Sequence, residues 1–206
     1  MSLVMWSGGC DSTLVLYDLA QRHTKEKPVH ALTVIHSSVP AQEEQARARE
    51  KIKKRFKKLE LPIRYSVIEV NHLGDCYPTG MTQPMVWISH GVSMLSKHFD
   101  DEDFYTGHHK GDTMWTSWAS YLHTFESMCS ALEKKSEWRV PLMKQSKAWI
   151  IDRLREEDLY ALCWWCEDPK AGRACGKCLP CKTHHLALYE LKLWPIRNEI
   201  KAGSGS

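Results

Sequence analysis

A short apolar run, Leu3-Val4-Met5-Trp6, is followed at once by Ser7-Gly8-Gly9-Cys10-Asp11-Ser12-Thr13 and then by a helix-like segment from Leu14 to Gln21. A strand that ends in a Gly-Gly turn and hands over to Asp, Ser and Thr at a helix start restricts this chain more than any other feature. Glycines permit a tight turn and a close approach of backbone to an anion. The unpaired N–H groups and positive dipole end of the helix then face that anion. Ser7, Ser12 and Thr13 add hydroxyl donors. An ordinary βα turn with an N-cap accounts for the Gly-Gly pair alone, but not for the full S-G-G-x-D-S-T string after a strand. The loop reads as a phosphate cradle, and it is not Walker A, because no G-x-x-x-x-G-K-S/T is present.

The rest of the chain continues the alternation. Val29 to Ile35 and Ile63 to Val70 read as strands rich in β-branched residues. Ala41 to Lys58 reads as a polar helix between Pro40 and Pro62, and Pro84 to His98 as a further helix. Phe104-Tyr105-Thr106 is a short strand entering Gly107-His108-His109-Lys110-Gly111-Asp112. Thr113 to Ser130 is an aromatic-rich helix, Trp138 to Leu142 is extended, and Ser146 to Glu157 is a helix with Ser146 as N-cap. Strands alternating with helices predict an α/β fold: a doubly wound, mainly parallel sheet, Rossmann-like. The 206 residues suit one such domain with a small appendage. We assign 1–160 to the α/β domain that carries the phosphate cradle, 161–200 to a cysteine-rich C-terminal module and 202–206 to a linker-like tail.

Charged residues at 26% and hydrophobic ones at 43% are ordinary globular values. No apolar run reaches the ~18 residues of a membrane span, and no signal peptide is recognisable, so the expectation is a cytoplasmic protein with no membrane partner. The net charge of +3 fits anionic substrates and is too small to argue for nucleic-acid binding. The basic run Lys51 to Lys58 reads as a solvated helix face balanced by Glu43, Glu44 and Glu50, against contact with a nucleic-acid backbone.

Five of the eight cysteines fall between Cys163 and Cys181. Cys166, Cys175, Cys178 and Cys181 have the spacing C-x8-C-x2-C-x2-C. Four thiolates in a short loop-rich segment suit a tetrahedral, structural Zn²⁺ with no open position. Gly172 and Gly176 free the turns, and a metal supplies folding energy that so short a segment lacks. Cys163 forms its own CxxC with Cys166. It is a small buried residue, a competitor for the metal, or a reactive thiol. His184 and His185, trailing the cysteines, read as surface residues.

The loop from Ser7 to Thr13 resembles the pyrophosphatase loop of the N-type ATP pyrophosphatases, the PP-loop (adenine nucleotide alpha hydrolase-like) superfamily. Paired with the C-terminal cysteine spacing, it resembles the 7-cyano-7-deazaguanine synthase (QueC) family of the queuosine pathway. Thr106-Gly107 with Asp112 is similar to that family's T-G-x-x-x-x-D segment. Pro141-Leu142 through Ser146-Lys147-Ala148 is similar to its P-L/I…T-K-A-E segment, with Trp149 in place of the glutamate. Trp165-Cys166 is similar to the family's approach to its first zinc ligand. The resemblance covers most of the chain, but the middle departs. The family's S-G-Y-P-D-C-R stretch is replaced by Met114 to Trp118. Its P-G-R-N segment is unrecognisable near Thr82-Gln83-Pro84, and its Y-G-Q-R-H run is replaced by His36 to Pro40.

The resemblance implies an ATP-dependent carbon–nitrogen ligase. ATP with Mg²⁺ lies over Ser7, Gly8, Gly9, Cys10, Asp11, Ser12 and Thr13, with Gly107 at the adjoining strand end. Lys147, Asp11 and Asp112 are the catalytic candidates. A 7-carboxy-7-deazaguanine-like deazapurine acid is adenylated, pyrophosphate leaves, and ammonia gives the amide and then the nitrile. Asp11 either holds Mg²⁺ or caps the helix, and Asp112 either contacts substrate or caps. His108 and His109, just beyond a strand end, are candidate substrate or proton-transfer residues. Trp115, Trp118 and Tyr121 share a helix face that either packs in the core or stacks on a purine. Because the substrate motifs depart, a paralogue passing the acyl group to a protein- or DNA-linked amine is a second expectation, with a protein partner. The others are tRNA thiolation or lysidine formation and a zinc-stabilised nucleic-acid-binding module with a relic loop. A homodimer is compatible with all of these.

Overall fold

The computed structural model describes residues 2–36, 40–70, 83–98 and 102–193. Cys76, Thr82, Ser37 to Val39 and the tail 202–206 lie outside the described residues.

β1 (Leu3–Met5), β2 (Val29–His36), β3 (Ile63–Val70), β4 (Phe104–Tyr105) and β5 (Trp138–Arg139) form one sheet in the order β3-β2-β1-β4-β5. Every pairing is parallel; for example Val4 stands opposite Ala31 on one side and Tyr105 on the other. The strands are joined through α1 (Cys10–Ala20), α2 (Gln42–Lys58), α3 (Gln83–His98) and α4 (Trp118–Ala131); α5 (Lys147–Glu156) and α6 (Leu179–Glu190) follow β5. This is the doubly wound α/β architecture expected from the sequence.

Alternation along β1 divides the core. Val4 and Trp6 join Leu14, Ile52, Phe56, Ile150 and Leu154 on the face covered by α1, α2 and α5. Leu3 and Met5 join Ile88, Val92, Leu95, Phe125 and Trp138 on the face covered by α3 and α4. Central strands buried on both faces read as continuous apolar runs, which is why Leu-Val-Met-Trp shows no polar alternation. Tyr121 is buried in the second cluster, with Trp115 and Trp118 packed against it; their rings lie 5.4 Å apart, and Trp118 stands 4.8 Å from Trp138. That aromatic face belongs to the core, not to a purine site.

Most element bounds differ from expectation by a residue or two. α1 differs more: it opens at Cys10, with Gly9 as N-cap. Asp112 caps a short 3-10 turn, Thr113–Ser117, that precedes α4. α6, unforeseen from the sequence, packs Ala187 and Leu188 on Ala148 and Ile151 of α5. The basic stretch of α2 is a solvated face: Lys53 pairs with Glu50 and Arg55 with Asp158. Among the described residues, no helix is long and apolar enough to cross a membrane.

Candidate active site

The strand order reverses between β1 and β4, and in open α/β sheets ligands bind outside the carboxyl ends of the strands at such a switch point. Here those ends carry the Ser7–Thr13 loop and the Gly107–Asp112 loop. They meet closely. A Cβ on Gly107 would stand 2.5 Å from the Ser12 amide nitrogen and 2.6 Å from the Asp11 carbonyl carbon. Only glycine lets β4 run this near to the first turn of α1.

Gly8 has φ +86°, and a Cβ there would meet Arg49 Cγ at 2.8 Å. Ser7 is tied to the helix start: its amide donates to Ser12 Oγ at 3.3 Å, and the two hydroxyls lie 3.2 Å apart. Thr13 N–H bonds Gly9 C=O at 3.1 Å, and the amides of Cys10, Asp11 and Ser12 before it lie in the first turn, where a helix offers no acceptor of its own. Thr13 itself faces inward. It is fully buried, and its hydroxyl accepts the Trp6 indole N–H at 3.1 Å.

Asp11 does not cap the helix. Both its oxygens accept from Lys147 Nζ, at 2.7 and 2.8 Å, and both side chains are largely buried. Lys147 opens α5, whose N-cap Ser146 accepts from Trp149 N–H. Burial works against the lysine charge, but Asp11 and, behind it, Cys10 outweigh this and raise its pKa. A fixed cation therefore stands beside the Ser7–Thr13 loop. Cys10 and Cys163 lie buried beneath it. The Cys163 thiol pulls the Cys10 pKa down against burial, with Lys147 helping, while Cys163 is itself pushed well up.

The loops border a cavity of about 420 Å³ whose wall includes Ser7, Gly9, Asp11, Ser12, Gly107 and Lys147. His108, His109 and Asp112 stand in the same wall. His108 Nδ1 donates to Asp112 Oδ2 at 2.9 Å, and Asp112 Oδ1 accepts Met114 N–H at 2.8 Å. Burial pushes the Asp112 carboxyl up, yet His108 and the Met114 amide outweigh it and hold it below the usual range. His109 is different: its Nδ1 accepts Gly111 N–H at 3.0 Å, and burial lowers its pKa.

The other wall was not foreseen from the sequence. Trp164, Trp165, Glu167, Leu179, Pro180 and Thr183 come from the cysteine segment and α6, and Trp87 from α3. Arg49 was also missed. It is buried beneath the loop and donates from Nη1 to Ser7 C=O at 3.1 Å. Its signal was present: an arginine within the buried stripe of Ala48, Ile52 and Phe56 on an otherwise polar helix.

The four cysteines expected to bind metal converge. The Sγ atoms of Cys166, Cys175, Cys178 and Cys181 all lie within 4.8 Å of one another, and those of Cys166 and Cys178 are 3.9 Å apart. Gly172 and Gly176 both have positive φ and turn the chain around them. Cys175 Sγ accepts the amides of Cys178 and Lys177, which pull its pKa down to about 6; Cys166 Sγ accepts Cys175 N–H. Cys163 is not in this group; its thiol donates to Leu159 C=O. The segment is joined to the Ser7–Thr13 loop, because Trp164 N–H donates to Gly8 C=O at 3.1 Å.

His184 corrects the expectation of a surface residue. It is fully buried, stacked on Trp165 at 3.8 Å and 5°, and its Nε2 meets Tyr160 Oη at 2.8 Å. Burial pulls its pKa down to about 3. A helix that closes the cysteine segment must bury one face on α5, and His184 falls on that face with Cys181 and Ala187.

No family model matches the chain, and no curated protein matches it. Among solved structures it is similar to the U34-tRNA thiolase NcsA from Methanococcus maripaludis with its 4Fe–4S cluster. The TM-score is 0.56 at 15% identity, over 100% of this chain and 76% of that one. At that identity the likeness speaks for the fold alone: a doubly wound, parallel α/β sheet, here with a four-cysteine group after the last strand that is suited to a metal.

Proposed function

We propose that this protein is an ATP-using enzyme that activates a substrate oxygen by adenylation. The supporting observation is the Lys147 ammonium held by Asp11 at the helix N-terminus, beside Ser7, Gly9 and Ser12, at the mouth of one cavity. The triphosphate lies along the loop with its charge on the first-turn amides. The substrate carboxylate attacks the α-phosphorus, and pyrophosphate departs toward the amides and Lys147, groups already oriented before charge develops. Mg²⁺ bound with ATP neutralises phosphate charge.

For the substrate we propose a 7-carboxy-7-deazaguanine-like acid, on the sequence resemblance together with a cavity walled by Trp87, Trp164 and Trp165 that suits a flat heterocycle. The acyl-adenylate then meets ammonia, giving the amide and, after a second activation, the nitrile. A protein- or DNA-linked amine as acceptor is the second reading, favoured by the replacement of the family's substrate motif with Met114 to Trp118. For the cysteine site we propose one structural Zn²⁺. Tetrahedral Zn–S bonds of ~2.3 Å space the sulfurs by about 3.8 Å. The observed spread fits one ion better than a cubane, which sets a separate iron behind each thiolate.

Incubation with ATP, 7-carboxy-7-deazaguanine and ammonium chloride, followed by mass spectrometry, tests the reading. AMP, pyrophosphate and a deazaguanine amide or nitrile are expected. AMP release only when a protein or DNA amine is added shifts the assignment to the conjugating reading. No AMP under any of these conditions overturns adenylation of this acid.

A further inference from the structure

Among the described residues, two side chains of the cavity wall have a buried polar atom left unmatched, His108 at Nε2 and Trp165 at Nε1, and of these only the imidazole nitrogen can take up a proton. His108 is 6% exposed, and its Nε2 has no hydrogen-bond partner among the described residues. The other ring nitrogen is committed. Asp112 is an acceptor on both oxygens, one taken by Met114 N–H, so the His108 proton sits on Nδ1 and Nε2 carries a free lone pair. An unsatisfied buried acceptor destabilises the fold, so a structural role alone gives no reason to keep one here. A carboxylate behind an imidazole, fixing its tautomer and stabilising the cation formed on proton uptake, is the arrangement of a general base and its orienting group.

We propose that His108 Nε2 is the base that deprotonates the amine attacking the acyl-adenylate, with Asp112 as its positioning residue. This rests on the adenylation reading above. The amine nitrogen forms the C–N bond as the acyl C–O bond to AMP breaks. AMP leaves with that electron pair, and one N–H proton passes to Nε2 and from there to solvent. The nitrogen is shielded from bulk water, which keeps water itself from being activated against the adenylate. Trp87 shares the cavity wall, and its ring centroid stands 5.7 Å from the imidazole. His109 cannot substitute, since its Nδ1 is taken by a backbone amide.

The test separates the two half-reactions in wild type and His108→Gln. ATP–pyrophosphate exchange with 7-carboxy-7-deazaguanine reads adenylation; amide formation reads capture by the amine. In the variant, exchange is expected to stay within about threefold, whereas capture of ammonia falls about 10²–10⁴-fold. Hydroxylamine, uncharged at neutral pH and strongly nucleophilic, is expected to restore most of the lost capture. Equal loss of exchange and capture, or equal loss with both amines, overturns the assignment of His108 as base. Absence of exchange in the wild type overturns the adenylation reading and this proposal with it. A His108→Gln protein whose Tm falls with exchange intact still supports the proposal if only ammonia capture is lost.

Discussion

Lys147 and Asp11 are 136 positions apart in the chain and joined by hydrogen bonds of 2.7 and 2.8 Å. Each constrains the other: the carboxylate keeps the lysine charged despite burial, and the lysine keeps the carboxylate from capping its own helix. Replacing Lys147 with Ala is expected to lower ATP–pyrophosphate exchange by about 10²–10³-fold, the effect of removing one preorganised donor to developing charge. It also leaves Asp11 unpaired, destabilising the fold by about 1–3 kcal/mol. Exchange kinetics alongside thermal melting measure both. Retained exchange places the phosphate cation elsewhere, with buried Arg49 as the next group to test. Residues of this kind were partly legible. Lys147 and Asp11 could be named from their motifs, but their pairing could not, since no local pattern links them. His184 was misread for a related reason. A histidine's burial depends on which helix face meets α5, and α6 itself was hidden by the cysteines around its start.

At the scale of elements, the site depends on two βα junctions meeting edge to edge. Gly107 has the tightest such contact, because the atoms a Cβ would meet belong to the backbone of α1 and cannot swing away. Gly107→Ala is therefore expected to destabilise by about 1–3 kcal/mol, lowering the Tm by several degrees. Because the strain falls on Asp11 and Ser12, the variant should lose pyrophosphate exchange more than its stability accounts for; melting and exchange at a temperature where it is fully folded check this. An unchanged Tm would mean that β4 can shift relative to α1. The long elements could be read from sequence because their periodicity is set by burial: β3 matched its expected bounds, and α2 began one residue late. The two-residue strands β4 and β5 carry too little pattern to fix their ends.

At the scale of the molecule, the cysteine segment acts as a wall of the site. Its Trp164 is bonded to Gly8, its Trp165 stacks on His184, and both tryptophans face the cavity that Lys147 and the loop face from the other side. The two main core clusters contain none of the four converging cysteines. Stripping the metal with a chelator is thus expected to leave most of the far-UV circular dichroism intact while altering the tryptophan fluorescence and near-UV signal of the Trp165–His184 stack. Exchange activity should fall with that signal, and one equivalent of Zn²⁺ per chain should restore both. A stripped protein with native tryptophan signals would show that the thiol cluster holds its shape unaided.

The bond from Trp164 to Gly8 joins positions near opposite ends of the chain. During synthesis the Ser7–Thr13 loop leaves the ribosome well over a hundred residues before Trp164, Trp165 and α6. A nascent chain can pair all five strands before the far wall of the cavity exists, because that wall waits for the late segment. On the adenylation reading proposed above, an acyl-adenylate would find shelter from water only in a molecule whose late wall is in place.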